Sequence, residues 1–237
     1  MLRKKYNDND CKIRTRFFRE GVIILEIKDT EKLVLARYDE SGNLVPVSES
    51  ESRWIKVFSS TWEHKDKQGK WLFSSREEDV LPPESKEPDA VIIVAVYNKR
   101  YIVLTDEFRV PIKGREISFP AGLIEKGEAV EDAAKREFFE ETGLDLDVKM
   151  KSSPKLYSSA GCTNETVQIV FGEATGELSS TNHEAGEDIN IIVANYDYVC
   201  QLCDSQHMPI GAKAWPILYM LKCMFTETKE FSFQQEG

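Results

Sequence analysis

The sequence predicts an α+β fold in two parts: a small N-terminal antiparallel β-domain, then a larger domain of strands and helices. Three observations carry this. Short runs of strand character crowd the first third of the chain, a charged stretch with three prolines at 77–89 divides it, and beyond the divide strands of buried type flank one well-marked helix. With 237 residues, 41% of them apolar, the chain can furnish one large or two small domains with an ordinary core.

Charge and cysteine usage narrow the function classes. A net charge of -10 argues against binding nucleic acid through a broad basic surface, while leaving room for a local basic pocket for a phosphate. The five cysteines are an odd number without a dense framework, which points to a reducing compartment, so a cytoplasmic location is expected. Cys200 and Cys203 form a C-x-x-C pair, but no second pair or histidine cluster completes a zinc site, so helix packing is expected of them. Arg3, Lys4 and Lys5 lead into polar residues rather than the apolar core of a signal peptide, and the longest apolar run, 90–97, is too short to span a bilayer. No membrane partner is expected.

From the N-terminus, residues 1–52 read as an extension with a β-hairpin, its strands at 21–27 and 33–38 joined by a charged turn at 28–32. Residues 53–88 hold a small sheet and a linker. Trp54 to Phe58, Thr61 to Glu63 and Lys70 to Arg76 supply its two or three strands, reversing at the glycine-containing turn Asp66-Lys67-Gln68-Gly69. Tryptophans in such strands either fill a core or present a stacking surface, and both readings stand for Trp54 and Trp71 on composition alone. The remainder, 89–237, opens on buried strands at 90–97 and 101–105 around the turn Asn98-Lys99-Arg100. Arg109 follows, either paired on the surface with Asp106 or Glu107, or free to hold an anion through its fixed guanidinium.

Residues 122–144, GLIEKGEAVEDAAKREFFEETGL, carry the densest chemistry. A helix over about 130–141 puts Glu137 three residues before Glu140 and four before Glu141, so their carboxylates project from neighbouring positions. These charges repel one another and sit at the helix end that favours cations. Such an acidic helix end is either a solvated face or a site for a hard cation such as Mg²⁺ or Mn²⁺. Gly122 permits a tight turn and close backbone approach, and Gly143 a left-handed helix stop. Ala129, Ala133, Ala134, Phe138 and Leu144 supply an apolar side, expected opposite the glutamates. Beyond the helix, strands are expected at 144–149, 155–158 and 167–172, an acidic loop at 182–189, and a packing helix within 209–225.

The spacing of Gly122, Glu128, Arg136, Glu137, Glu140, Glu141 and Gly143, with Phe138 and Leu144 at the apolar places, resembles the Nudix box at every defining position. The resemblance implies an α/β/α sandwich around a mixed sheet, and hydrolysis of a nucleoside diphosphate linked to another group. It also implies a divalent metal, Mg²⁺ or Mn²⁺, held by Glu137, Glu140, Glu141 and the Ala121 carbonyl, with Arg136 orienting the glutamates through Glu128.

The flanks resemble ADP-ribose and ADP-sugar pyrophosphatases more narrowly, through the small sheet, through Glu107-Phe108-Arg109-Val110-Pro111, and through Glu116-Ile117-Ser118-Phe119-Pro120-Ala121-Gly122. That similarity implies a nucleotide-sugar substrate, ADP-ribose foremost, and a homodimer that exchanges the small sheet. It places Trp54 and Trp71 on the adenine, Arg76 as a polar contact, Arg109 on the diphosphate and the loop at Gly161 against the substrate. Glu187 would activate the attacking water, with Glu184 in reserve and His183 behind both. Leu72, Ser118 and Ala160 depart from the pattern, which bears on the substrate and not on the metal chemistry, although Glu116 lies on the same side of its strand as Ser118. A GDP-sugar, an oxidised nucleotide or a non-cleaving sensor of a nucleotide sugar are the alternatives.

Overall fold

The computed structural model describes residues 26–33, 35–38, 44–46, 55–77, 80, 86–150, 152–179, 188–231 and 233. The chain divides into two units, Met1–Val80 with Gly161–Thr163, and Leu81–Ala160 with Asn164–Gly237.

In the smaller unit, β1 (Glu26–Leu33), β4 (Lys56–His64) and β5 (Lys67–Ser75) form a three-stranded antiparallel sheet in the order β1-β4-β5, while β2 (Ala36–Tyr38) pairs separately with β3 (Leu44–Pro46). Two expectations are corrected here. The stretch 28–32 is no turn but the middle of β1, paired with β4 in a register that ends at Leu33 opposite Val57. Glu31 and Lys32 are exposed on this edge strand, where charge is tolerated, and Thr30 and Ser60 share a hydroxyl hydrogen bond of 2.6 Å. Chain reversal between β4 and β5 falls at Lys65-Asp66, with Lys65 at φ 53°, and Gly69 lies inside β5 opposite Trp62. A Cβ on Gly69 would come within 2.7 Å of the Trp62 ring, so the glycine makes room for an aromatic neighbour rather than for the turn. Phe58 and Phe73 stack at 5.7 Å across the same pair of strands.

The larger unit is built on an eight-stranded sheet. Its spine is β10 (Asp145–Met150), β12 (Thr166–Thr175), β6 (Ala90–Tyr97), β7 (Tyr101–Arg109) and β13 (Ile189–Asn195), in that order. Along the sides, β8 (Gly114–Ser118) pairs with β7, β9 (Ala121–Leu123) with β6, and β11 (Leu156–Tyr157) with β12. Because β6 and β12 run parallel and the other pairs antiparallel, the sheet is mixed. β7 extends to Arg109, beyond the expected 105, because β8 and β13 pair with its second half.

The continuous apolar run of β6 reflects burial on both faces. Val91, Ile93 and Ala95 pack with Ala133, Ala134 and Phe138 of α1 (Val130–Thr142). Ile92, Val94 and Val96 join Val199 and Leu202 of α2 (Tyr196–Asp204) and Leu218 and Leu221 of α3 (Ala214–Met224). Helices therefore cover the two faces, giving the α/β/α sandwich that the resemblance implied. Each fully buried aliphatic side chain here contributes about 1.5–3 kcal/mol relative to exposure. Cys203 packs in the second cluster, and burial pushes its thiol pKa up, as suits a structural residue. Among the described residues no helix is long and apolar enough to cross a membrane.

Candidate active site

Helix α1 stops where Gly143 turns left-handed, at φ 72°, and donates its amide to Phe139 O at 2.8 Å. The helix is seated by Ala133, Ala134 and Phe138, each fully buried, and by Leu144 just beyond it. Ala129, expected on this apolar side, is exposed instead at the N-cap.

The glutamates are not opposite the packing face. At about 100° per residue, Glu141 lies only about 60° round the helix from Phe138, and Glu137 falls on the same inward arc. Glu141 is accordingly buried, at 6% exposure, whereas the Glu140 side chain keeps 42%. One face thus both packs and presents carboxylates. Inward room for Glu137 comes from β9: a Cβ on Gly122 would stand 1.9 Å from Glu137 Cδ.

Arg136 ties this arrangement together. Its Nε donates to Glu128 Oε1 and its Nη2 to Glu128 Oε2, both at 2.9 Å. Nη1 donates to Glu137 Oε1 at 2.8 Å and Glu140 Oε2 at 3.2 Å, and Nη2 also reaches Leu123 O at 2.9 Å. These contacts use the whole donor capacity of a guanidinium, so Arg136 positions its neighbours and has no hydrogen left for a substrate. The paired Glu128 holds the Arg136 pKa above its usual range, and Arg136 in turn holds the Glu128 carboxyl below its own. Glu128 Oε2 further accepts the Glu125 amide at 2.9 Å, which fixes the turn before the helix.

Among the described residues no three acidic, histidine or cysteine side chains converge into a ready-made cation cage. Mg²⁺ seldom requires one, since it keeps several waters and binds through one or two carboxylates together with substrate phosphates. The donor set near Gly122 consists of oxygens alone, with one carboxylate seated over a glycine backbone, and it fits a hard divalent cation.

Arg109 stands at the end of β7, where its Nη1 lies 2.7 Å from Glu107 Oε1 and its Nε 3.6 Å from Glu116 Oε2. Glu107 and Glu116 are cross-strand partners, and the guanidinium offsets their repulsion. Glu116 and Ser118 face the same way, toward Gly211, where a Cβ would meet Glu116 Oε1 at 2.9 Å and Ser118 Oγ at 3.6 Å.

Sequence reasoning passed over Arg115. Its Nε donates to Asp106 Oδ2 at 2.8 Å and its Nη1 lies 2.9 Å from Asp188 Oδ2, and these two carboxylates hold its pKa above the usual range. Arg115 thereby fastens the start of β13 to β7. The partners lie 9 and 73 residues away along the chain, a separation that leaves no local pattern to read. Glu187, Glu184 and His183 lie outside the described residues, as does Trp54.

In the smaller unit, Trp71 is 56% exposed, and its indole Nε1 donates to Gly161 O at 3.0 Å. A Cβ on Gly161 would meet nothing within 4 Å, so the carbonyl rather than the missing side chain is what this unit uses. Ser74 N donates to Cys162 O at 2.9 Å, a second tie between β5 and the 161–163 segment. Arg76 follows β5, and its carbonyl accepts Lys56 Nζ at 3.4 Å. Leu72, 62% exposed, points to the other face of the strand from Trp71.

Comparison with known proteins gives four findings. The model of the NUDIX domain family matches residues 86–193. The chain is 30% identical over 137 residues to the ADP-ribose pyrophosphatase of Bacillus subtilis, spanning 57% of this chain and 73% of that one. It is 32% identical over 186 residues to the ADP-sugar pyrophosphatase of Mus musculus, spanning 73% and 84% respectively. A crystal structure described as an ADP compounds hydrolase superposes with a TM-score of 0.60 at 19% identity, covering 87% of this chain and 97% of that one, a likeness of fold alone.

Proposed function

The chain belongs to the NUDIX family of pyrophosphatase-type hydrolases, and from that premise we propose that it cleaves the diphosphate bond of an ADP-sugar, ADP-ribose foremost, into AMP and ribose 5-phosphate. The observation that carries this reading is the Arg136 lattice, which holds the carboxylates of Glu137 and Glu140 while Glu137 is seated over Gly122. Relatives named for ADP-ribose and ADP-sugar support the substrate class.

Glu137, Glu140 and Glu141, with the carbonyl of Ala121, would hold Mg²⁺ or Mn²⁺, which when bound offsets diphosphate charge and lowers the pKa of a bound water. Arg136 keeps the glutamates in place and leaves substrate contact to other residues. We assign Glu187 the proton of the attacking water, with Glu184 in reserve. The water oxygen bonds to one phosphorus, the bond from that phosphorus to the bridging oxygen breaks, and the bridging oxygen leaves on the other phosphate. Arg109 would hold a diphosphate oxygen, exchanging an ion pair with Glu107 or Glu116 for one with phosphate. Base binding is assigned to Trp71 and Trp54, with Arg76 as a polar contact and the loop at Gly161 against the substrate. We further read 53–88 as a dimerising sheet and linker, 89–237 as the catalytic domain, and the chain as a cytoplasmic homodimer.

The test is product analysis with ADP-ribose, a GDP-sugar and an oxidised purine nucleotide, with Mg²⁺, with Mn²⁺ and with chelator. AMP from ADP-ribose, abolished by chelator and with the highest kcat/KM of the panel, is expected. Absence of AMP under every metal condition overturns the substrate assignment, and ligand binding without any product points to a sensor instead.

A further inference from the structure

The outer face of α3 is apolar throughout. Trp215, Tyr219, Met220 and Met224 are exposed by 41, 46, 42 and 63%, while Ala214, Leu218 and Leu221 on the inner side lie in the core. Pro216 and Cys223 are exposed beside them. A surface helix ordinarily turns charged residues outward. Here the one charge within the helix, Lys222, is drawn aside to Asp204 by bonds of 2.7 and 2.8 Å. Trp215 and Tyr219 stack at 5.1 Å with an 18° interplanar angle, and the indole Nε1 is held by Cys203 O at 3.3 Å. The aromatic pair is therefore ordered in advance, which lowers the entropy cost of contact. Contiguous exposed apolar surface of this kind marks an interaction site.

We infer that this face is the contact with a second copy of the chain, two α3 helices packing antiparallel about a twofold axis through Met220. The sequence around Met220 is self-complementary in that arrangement: Pro216 comes opposite Met224, and the N-cap Lys213 comes toward Glu227 in the turn beyond the partner helix, both exposed. Opposite charges thus meet at each end, and the two helix dipoles oppose one another. Residues 213–226 carry no acidic side chain, so two copies, each with a net charge of -10, bring no carboxylates of this stretch against one another here. The four large side chains offer on the order of 400 Å² per copy, below the roughly 800 Å² of a standard interface, so association is weak and depends on concentration.

Sedimentation velocity of the full chain across the micromolar range tests this. One doubling of mass with concentration is expected. Met220→Glu, which sets two carboxylates on the axis, should remove the doubling while nucleotide hydrolysis and the circular dichroism spectrum stay unchanged. Lys213→Glu alone and Glu227→Lys alone should each weaken association about tenfold, and the double variant should restore it to within about threefold of the original. If the small sheet also dimerises, the doubling runs from dimer to tetramer and the Met220→Glu chain stops at the dimer. A mass that never changes with concentration overturns the inference. So does a doubling that survives Met220→Glu, or a charge-reversed double variant that associates no better than the single ones.

Discussion

The carboxylate of Glu137 occupies the space above Gly122 where any other residue would carry its Cβ, which would stand 1.9 Å from Glu137 Cδ. Gly122 lies in β9, and its φ is not in the left-handed region, so proximity rather than backbone freedom makes glycine necessary there. The atom displaced by a methyl group is the far end of a flexible side chain. Gly122→Ala should therefore cost little stability, under about 1 kcal/mol, while moving Glu137 by about an ångström. A displacement of that size is enough to lower kcat/KM about a hundredfold. Steady-state kinetics beside a thermal melt would check this, and a variant with full activity would contradict the seating of Glu137.

The pairing of Glu128 with Arg136 makes acid stability a second readout of the lattice. The folded-state pKa of Glu128 is depressed, chiefly by hydrogen bonding from Arg136, from an ordinary value of 4.5. A depressed carboxyl contributes stability that is fully present above the unfolded-state pKa and is lost as pH falls through the folded-state value. Melting temperatures measured from neutral pH downward should start to fall below about pH 4.5. Glu128→Gln should flatten that acid limb and lower the neutral-pH plateau. An unchanged limb would mean that other carboxylates govern acid unfolding.

The helix, its glycine stop and the buried strand at 90–97 were legible because each rests on local rules of period, cap and apolar run. Which way the glutamates face was also encoded, since 100° steps place Glu141 beside Phe138. Reading the acidic cluster as a solvent-side feature hid it. The stretch 28–32 looked like a turn because its composition is charged, yet strand pairing along β4 supplies backbone partners that composition does not register. Gly69 looked like a turn residue for the same reason, although its neighbour Trp62 comes from another strand. Arg115 and Asp188 were illegible because only the closing of β13 onto β7 brings them together.

A buried ion pair anchors the start of β6. Lys86 Nζ lies 2.9 Å from Asp89 Oδ2, with side chains only 3 and 7% exposed, and it also donates to Asn164 O at 3.0 Å. Asp89 Oδ2 accepts Thr166 N at 2.7 Å and Thr166 Oγ1 at 3.1 Å. Lys86→Met would leave the Asp89 charge buried with its hydroxyl and amide donors but without its counter-ion. Removing one partner of such a pair costs about 3–5 kcal/mol, and the donors that remain place this case near about 3. Denaturant unfolding of the variant should show that loss. A change below about 1 kcal/mol would mean that water reaches the pair.

Trp71 combines an exposed ring with an indole N–H already committed to Gly161 O, so two roles can be separated by chemistry. Stacking needs only a π face and is worth about 1–3 kcal/mol per base. Holding the 161–163 segment needs the N–H. Trp71→Phe keeps a face and loses the donor, whereas Trp71→Ala loses both. If the ring binds the base, Ala should raise KM for ADP-ribose about tenfold or more with kcat little changed, while Phe stays within about threefold. If the ring serves only to hold the segment, Phe and Ala should be impaired alike, and the melting temperature of the smaller unit should fall in both. Equal KM values for all three proteins would remove Trp71 from substrate binding altogether.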